Sequence, residues 1–263
     1  MTDKLGDRMK EFYENRYRIL LPRRLPLIIR VDGKAFHTFT KGFKKPYDLI
    51  IRDCMTETAA ELCKEIQGCK IAYIQSDEIS LLLTDYDDIK TDAWFDKNLA
   101  KITSISASIA TLAFNKQYKW TLDNYAFHEM PKMKEFYEKK LFTAMFDSRA
   151  FVIPKEEVIN YFIWRQNDAT RNAIQGLGQA NFSHKEMQNI NTSLLQEKLF
   201  KERQINFNDE PTWYKRGWCV NKESYCKKVP DKEGIIRTHW TPDYDIPIFT
   251  TDRNYIEKFV NLN

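Results

Sequence analysis

The sequence predicts an α+β protein in which a ferredoxin-like antiparallel sheet, with helices on one face, precedes a helical second half. Between residues 27 and 153 the predicted elements run strand, helix, hairpin, helix, strand, close to a β-α-β-β-α-β order. The composition, 43% hydrophobic and 30% charged, is typical of a folded domain. We therefore expect a catalytic sheet domain over residues 1–154 and a mostly helical region over 155–263, packed on it as one compact unit.

Short apolar and β-branched runs predict the strands. Residues 27–31 form such a run, which ends at Asp32 and a glycine. Residues 70–75 and 79–83 are two further runs joined by a short polar turn, which predicts a hairpin. Weaker strand patterns lie at 144–146, 150–153, 217–220 and 235–238.

Apolar residues at helical spacing predict the helices. One helix begins near Asp48 and a longer one is expected over residues 94–117. The helical pattern returns from residue 155 onward. Ser183 and Glu186 have the spacing of a capping box, which marks the start of a helix.

Charge and cysteine content narrow the class of protein. Residues 1–52 contain 13 Lys and Arg against 6 Asp and Glu, whereas residues 53–96 contain 3 against 11. Such asymmetry suggests an anionic partner for the basic segments, although a solvated surface explains it equally simply. The five cysteines form no Cys-x-x-Cys pair, and residues 1–8 contain no apolar run. We expect a cytoplasmic protein with reduced thiols, without a membrane span or secretory signal.

Three acidic residues follow or join the predicted strands. Asp32 ends the first strand, and Asp77 and Glu78 lie at the tip of the hairpin. If these strands are neighbours, the carboxylates converge and repel one another unless a cation binds between them. Oxygen ligands of this kind suit Mg²⁺, and two such ions could activate a hydroxyl and stabilise a leaving oxygen. The alternative is two ordinary polar turns, since Asp is common in turns.

The segment after Asp32 has features of a phosphate-binding loop. A glycine there lets the backbone approach a ligand, and successive amides of residues 33–37 could bind phosphate oxygens. Lys41, Lys44 and Lys45 follow closely and could neutralise a triphosphate. No Walker motif is present, so the pattern alone does not identify a nucleotide site.

Aromatic residues make up 14% of the chain, and in two stretches they alternate with basic residues. Residues 161–171 and 213–218 combine Trp or Tyr with Arg or Lys. Such stretches can stack on and grip RNA bases and phosphates. Packing in the protein core is the alternative for most of these rings.

Together these segments resemble the tRNA-His guanylyltransferase family, the 3′-to-5′ polymerases. Six motifs occur in the family's order between about residues 5 and 220. They are Arg30–His37, Lys45–Asp48, Tyr73–Glu78, Phe146–Arg149, Trp164–Asp168 and Ile205–Pro211.

The resemblance implies a polymerase-type palm and a set of site residues. Asp32, Asp77 and the Gly33 carbonyl would hold two Mg²⁺, with Glu78 as a further catalytic carboxylate. Arg149 and Arg165 would contact tRNA. The remaining residues would bind two nucleotides. One is a first, activating nucleotide, and the other is a second triphosphate that meets two lysines on the polar face of the long helix. These residues are Lys34, Ala35, Phe36, His37, Lys45, Asp48 and Ser76 for the first, and Lys97 and Lys101 for the second.

The implied reaction adds nucleotides to tRNA 5′ ends. ATP would adenylylate the 5′-monophosphate, and the 3′-hydroxyl of GTP or another NTP would then displace AMP. The tRNA-His branch carries a Cys-His-Ile-Asn-Asn run after Trp-Arg-Gln-x-Asp, where this chain has Thr170 in place of the histidine and keeps only Asn172 in register. This departure resembles the guanylyltransferase-like branch, whose members favour template-dependent repair of truncated tRNA. The family also implies a homotetramer.

Three other functions remain open at the level of sequence. Obligate addition of G to tRNA-His would use the same residues. A nucleotide cyclase on a similar palm would form a cyclic product without RNA. A non-catalytic RNA-binding module would tolerate the loss of Asp32 and Asp77.

Overall fold

The structure is a computed structural model that describes residues 3–124, 131–229 and 232–260. Its strands are β1 (Leu27–Gly33), β2 (Cys69–Gln75), β3 (Glu78–Leu83), β4 (Phe146–Val152), β5 (Trp218–Val229) and β6 (Lys232–Asp243). They form one antiparallel sheet in the order β4-β1-β3-β2-β5-β6.

Helices of very different length surround this sheet. In the first half they are α1 (Lys4–Phe12), α2 (Phe36–Phe39), α3 (Leu49–Glu65), α4 (Leu99–Asn124) and α5 (Pro131–Glu138). In the second half they are α6 (Lys155–Asn181), α7 (His184–Met187), α8 (Thr192–Arg203), α9 (Thr212–Arg216) and α10 (Asn254–Glu257). None of the helices in the described ranges is long and apolar enough to cross a membrane.

The order β1-α3-β2-β3-α4-β4 confirms the predicted α+β fold. The two weak strand patterns before residue 154 belong to one strand, β4, which pairs with β1 along its length. The lateral order β4-β1-β3-β2 is that of a ferredoxin-like sheet. The capping box of Ser183 and Glu186 is also present, at the start of α7.

The start of the long helix differs from the prediction. The expected helix over residues 94–117 begins only at Leu99, because Phe95, Asp96 and Lys97 have positive φ angles of 49°, 50° and 54°. Three consecutive left-handed residues cannot continue a right-handed helix. The side chain of Asn98 accepts a hydrogen bond from the Lys101 amide at 3.2 Å, which caps the new start.

The two faces of the sheet have different partners. Alternation along β1 directs Leu27, Ile29 and Val31 into the core with α3 and α4, and it directs Ile28 into a second core with Phe162 of α6. The prediction placed helices on one face and the second half beside the sheet. The structure shows that α6 covers the other face, because the sheet carries apolar residues on both sides.

The second half also extends the sheet. Residues 218–221 of β5 pair with β2, and β6 pairs with β5. One sheet therefore continues across residue 154, and the division of the chain at this residue remains a prediction. Because the second half of the chain joins the same sheet, its helices α6 and α9 lie directly beside the ends of β1 and β3.

Candidate active site

Acidic residues meet at the end of β1. Asp32 pairs in register with Glu78 of β3 on one side and with Asp147 of β4 on the other. The Gly33 amide donates to the Asp77 carbonyl oxygen at 3.1 Å, which ties the turn between β2 and β3 to the end of β1. Sequence reasoning brought Asp32 and Asp77 together correctly because both lie at the ends of neighbouring strands. It did not single out Asp147, whose position depends on the register of β4.

The pKa values of Asp32 and Asp77, the two carboxylates expected to bind metal, are both raised. Burial, together with the neighbouring charge of Asp32, raises the pKa of Asp77 to about 6. Burial also raises the pKa of Asp32, and the carboxylate of Asp147 adds to this effect. Buried carboxylates whose pKa values are raised by neighbouring carboxylates form a site that a cation would stabilise.

The backbone beside the two aspartates adopts conformations that non-glycine residues avoid. Ala35, which follows Asp32 closely, has φ 52°, and Ser76, which directly precedes Asp77, has φ 50°. A left-handed non-glycine residue costs about 1–2 kcal/mol, and such residues cluster at functional sites. Gly33 is required for packing, because a Cβ there would lie 2.3 Å from the buried Phe36 ring.

Glu78, unlike the two aspartates, forms a bidentate pair with an arginine. Its carboxylate accepts from Arg165 Nε at 2.8 Å and from Arg165 Nη2 at 2.7 Å, and both side chains are about nine-tenths buried. The three predicted carboxylates therefore line one cavity, but the third is paired with a guanidinium. The fork of Arg165 is occupied inside the protein, and the contact of this residue with tRNA stays a prediction.

A cavity of about 490 Å³ opens beside these residues. Asp32, Ser76 and Asp77 line one end of it, and Lys45 lies at its rim. Its volume is in the range of small-molecule pockets. One side is formed by residues 43–52, and the opposite side is formed by α6, α9 and the start of β5.

Sequence reasoning missed the wall that α6 contributes. Arg165, Asp168, Asn172 and Gly176 line the cavity from positions three or four residues apart, which is one face of a helix. Polar residues at this spacing were the available signal. A Cβ at Gly176 would lie 3.3 Å from the Tyr214 hydroxyl, so the glycine allows α9 to pack closely.

Aromatic rings form another part of the lining. Tyr47 contacts Trp213 and Tyr214 with ring centroids 4.9 and 4.8 Å apart, and all three line the cavity. The Arg52 guanidinium lies between the rings of Trp213 and Tyr244, 5.1 and 5.0 Å from their centroids. These rings offer apolar faces of the kind on which bases stack.

Two residues expected to bind the first nucleotide have partners within the chain. The Lys34 amide donates to the Met145 carbonyl at 2.9 Å, so this amide of the predicted cradle is already bonded. Asp48 caps α3, and its carboxylate accepts from the Ile50 amide at 2.9 Å and from the Tyr137 hydroxyl. Ala35, Phe36 and His37 lie at the start of α2, where amides have no acceptor within the helix.

The two lysines expected to meet a second triphosphate have different environments. Lys97 is buried, and its ammonium donates to Asp85 Oδ1 at 3.1 Å and to the Pro22 and Leu25 carbonyls at 2.9 and 2.8 Å. Its three donors are thus satisfied within the chain, which suits a residue that holds the fold, and the contact of Lys97 with a nucleotide stays a prediction. Lys101 is exposed on α4, and neither lysine lines the cavity.

Arg149 lies at the edge of the site. Its guanidinium is half exposed, 3.8 Å from Asp32 Oδ2 and 3.3 Å from Asp147 Oδ1. The positive charge of Arg149 partly offsets the charges of Asp32 and Asp147, and its guanidinium can still reach solvent. This position is compatible with the predicted contact to a nucleic-acid phosphate.

The donor set fits a hard cation. Among the residues that the structure describes, no group of three or more His, Cys, Asp or Glu side chains could hold a metal ion. What remains is the pair Asp32 and Asp77 with the nearby Gly33 carbonyl. Mg²⁺ is commonly bound through one or two carboxylates together with substrate phosphates and water, so an incomplete protein shell of this kind suits it.

The chain is similar to a known protein family and to several known proteins. The Thg1 family, tRNAHis guanylyltransferase, matches residues 6–154. The tRNA(His) guanylyltransferase of Debaryomyces hansenii is 32% identical over 210 residues, covering 75% of this chain and 73% of the relative. The uncharacterized protein R259 of Acanthamoeba polyphaga mimivirus is 28% identical over 233 residues, covering 85% of this chain and 78% of the relative.

Two solved structures of bacterial tRNA(His) guanylyltransferase (Thg1)-like protein are also similar. The complex with ATP has a TM-score of 0.84 and 47% identity, covering 98% of this chain and 100% of that chain. The complex with GTP has a TM-score of 0.77 and 44% identity, covering 98% and 99%. With its palm-like sheet, its paired aspartates and these relatives, the chain belongs to the tRNAHis guanylyltransferase family, and it is a nucleotidyltransferase.

Proposed function

We propose that this chain adds nucleotides to the 5′ ends of tRNA in the 3′-to-5′ direction, with template-dependent repair of truncated ends as its role. The observation that carries the proposal is the pair of repelling carboxylates, Asp32 and Asp77, at the end of a nucleotide-sized cavity. Such a pair, beside strained backbone and exposed basic residues, is suited to phosphoryl chemistry rather than to RNA binding alone.

Asp32, Asp77 and the Gly33 carbonyl would hold two Mg²⁺. When bound, these ions would neutralise phosphate charge and stabilise the attacking and leaving oxygens. The chain's own contribution is to keep both carboxylates at one end of the sheet, through the β1–β3 ladder and the hydrogen bond from Gly33 to Asp77.

The first nucleotide would occupy the cavity. Lys45 and Ser76, which line the cavity, would bind its phosphates together with the amides of Ala35 to His37 at the start of α2, and the rings of Tyr47 and Trp213 offer a surface for its base. A similar bacterial protein has been solved with ATP, which supports ATP as a substrate. Lys101, exposed outside the cavity, would meet the triphosphate of the second nucleotide.

Two transfers would follow at this one site. In the first, an oxygen of the tRNA 5′-monophosphate attacks the α-phosphorus of ATP, and pyrophosphate leaves. In the second, the 3′-hydroxyl of the incoming nucleotide attacks the 5′-phosphorus of the tRNA, the bond to AMP breaks and AMP leaves. A 5′-triphosphate end could enter at the second step and release pyrophosphate. No protein nucleophile is needed, so positioning and charge neutralisation carry the catalysis.

Residues on α6 bear on the role. Thr170, which stands where the tRNA-His branch has histidine, donates its hydroxyl to the Gln166 carbonyl at 3.1 Å within the helix. Asn172 lines the cavity. The loss of the histidine supports repair over obligate G addition, in which case base pairing with the opposite strand selects the added nucleotide. A homotetramer and a cytoplasmic location are part of the same proposal.

The experiment supplies the purified chain with Mg²⁺, ATP, all NTPs and 5′-monophosphorylated tRNA-His, either full length or lacking its first nucleotide. Asp32→Asn is the test variant, and Asp123→Asn, an exposed aspartate on α4, is the matched control. We expect extension of the truncated tRNA that depends on the opposing base, lost in the first variant and kept in the second.

Each other result would favour a different function. Efficient G addition to full-length tRNA, independent of the opposing base, would favour tRNA-His maturation. A cyclic product from NTP alone would favour a cyclase. Tight tRNA binding without extension of either tRNA would favour a binding module.

A further inference from the structure

Glu78 is surrounded by donors from its own chain. Besides the two bonds from Arg165, its Oε1 atom accepts from Gln75 Nε2 at 3.2 Å and from Ser80 Oγ at 3.4 Å. Arg30 Nε lies 3.9 Å from Oε2. These contacts occupy both carboxylate oxygens, so Glu78 is not available as a ligand in this arrangement.

The position of Glu78 connects it to the catalytic pair. Glu78 is the residue after Asp77, and it faces Asp32 across the β1–β3 ladder. The turn that carries Asp77 also contains the left-handed Ser76. A strained turn persists only where the surrounding structure fixes it, and Glu78 is the nearest side chain with strong external bonds.

Arg165 is itself held in place before any substrate binds. Its Nη2 lies 3.2 Å from Asp168 Oδ2, and its guanidinium lies 4.6 Å from the centroid of the Trp164 ring. Arg165 belongs to α6, which packs across the sheet from the second half of the chain. Its fork therefore reaches the turn as a fixed support rather than as a mobile side chain.

The repulsion between Asp32 and Asp77 explains why the turn that carries Asp77 needs such a support. Two carboxylates without a cation push each other apart, and the turn between β2 and β3 is the element that can move. A bidentate guanidinium bond one residue away opposes that movement, because its two parallel hydrogen bonds fix both distance and direction.

We propose that Arg165 is a positioning residue, whose bidentate bond to Glu78 fixes the β2–β3 turn so that the Asp77 carboxylate stays opposite Asp32. The inference deepens the proposed function and rests on it. It replaces two predictions from the sequence, direct catalysis by Glu78 and tRNA contact by Arg165. It also implies that α6 controls the geometry of the cation site from the second half of the chain.

The test measures cation binding apart from catalysis. Mn²⁺ serves as the probe, and its binding to the nucleotide-free protein is followed by electron paramagnetic resonance of the free ion. Arg165→Gln is compared with Arg8→Gln, which removes an exposed arginine from α1. We expect Arg165→Gln to weaken Mn²⁺ binding about 10- to 100-fold, as is typical when a support of a metal ligand is removed, and Arg8→Gln to leave it unchanged.

Two further variants separate geometry from folding and from charge. Arg165→Lys keeps the charge but cannot form two parallel bonds, so we expect a folded protein with weakened Mn²⁺ binding. Glu78→Gln should weaken binding to the same degree, and combining it with Arg165→Gln should add little further loss, because both changes break one contact. Thermal melts of every variant identify losses that come from unfolding.

Several outcomes would overturn the inference. A folded Arg165→Lys or Glu78→Gln protein with wild-type Mn²⁺ affinity would show that the bond does not position Asp77. A tenfold loss of tRNA affinity in Arg165→Gln, with Mn²⁺ binding intact, would restore the tRNA contact. If the wild-type protein transfers no nucleotide while Arg165→Gln still loses Mn²⁺, the proposed function fails and the positioning role stands.

Discussion

Two buried ion pairs, Lys97–Asp85 and Arg165–Glu78, serve different regions of the molecule. Lys97 is bonded to Asp85 and to two backbone carbonyls, away from the cavity. Arg165 is bonded to Glu78 at the cavity wall, one residue from a proposed metal ligand. The family resemblance implied that Lys97 meets a triphosphate and that Arg165 contacts tRNA. The difference teaches that burial with an acidic partner does not define a role, whereas the neighbours of the pair do.

The chemistry of each side chain suits its place. The Lys97 ammonium directs three donors to three separate acceptors, which ties the segment around Pro22 and Leu25 to the loop that carries Asp85. The Arg165 guanidinium presents a planar fork to one carboxylate, which fixes a direction. The first pair holds segments together, and the second orients a turn. The following predictions test whether stability and catalysis divide between the two regions in this way.

The largest effect is expected at the cavity. Asp77→Asn should lower nucleotidyl transfer by about a thousandfold or more, because it removes one of two carboxylates that would hold the cation. The melting temperature should stay the same or rise, since the variant removes a buried charge that Asp32 repels. Single-turnover transfer and a thermal melt check both statements. A variant that keeps its activity would contradict the division.

The next effect is expected at the other pair. Lys97→Met should destabilise the protein by about 3–5 kcal/mol, because it leaves the buried Asp85 carboxylate without its ammonium. Nucleotidyl transfer per folded molecule should not change. Chemical denaturation measures the free energy of unfolding, with Lys101→Met as the exposed control. If Lys97→Met raised the KM for a nucleotide without loss of stability, the interpretation of Lys97 as a residue that holds the fold would be wrong.

A smaller effect is expected at the edge of the site. Arg149→Gln should weaken tRNA binding by roughly three- to tenfold and reduce the salt dependence of binding by about one unit of slope, as expected for one lost phosphate contact. Binding measured over a series of salt concentrations tests this. Lys201→Gln, an exposed charge on α8, is the control. An unchanged slope would place the tRNA elsewhere on the protein.

The smallest effect concerns pH. Burial lowers the pKa of Lys97, although the Asp85 partner acts in the opposite direction. The folded protein therefore releases this proton at a lower pH than the unfolded chain, whose lysine titrates near 10.5. Stability should accordingly gain from this residue as the pH rises toward 10.5, and the destabilisation by Lys97→Met should grow over the same range. Denaturation of both proteins at pH 7 and pH 9.5 measures the difference, and a constant difference would contradict the shift.

Local patterns predicted the fold well because local physics determines its elements. Residues 27–31 become β1 since a short β-branched run buried on both faces has few alternatives. Asp48 begins α3 because its carboxylate caps two amides of the first turn. The start of α4 was missed, because apolar spacing does not reveal the left-handed residues at 95–97.

The site was predicted where it depends on strand ends and missed where it depends on distant contacts. Asp32 lies near the end of β1 and Asp77 lies in the turn directly before β3, which pairs with β1, so their meeting follows from the hairpin. Arg165 and Glu78 are 87 residues apart, and only the packing of α6 on the sheet joins them. The polar face of α6 was visible in the sequence, but nothing there indicates which surface that face meets.

The row formed by Glu78, Asp32 and Asp147 across three strands links folding to function. A slip of one residue in the register of β1 would turn its side chains over, so that Asp32 would point into the apolar layer of α3 and α4. A chain with the wrong strand alignment would then bury a carboxylate without a partner, which would keep it from folding stably. The strand register that allows the chain to fold stably is therefore also the register that places Asp32 in the candidate active site.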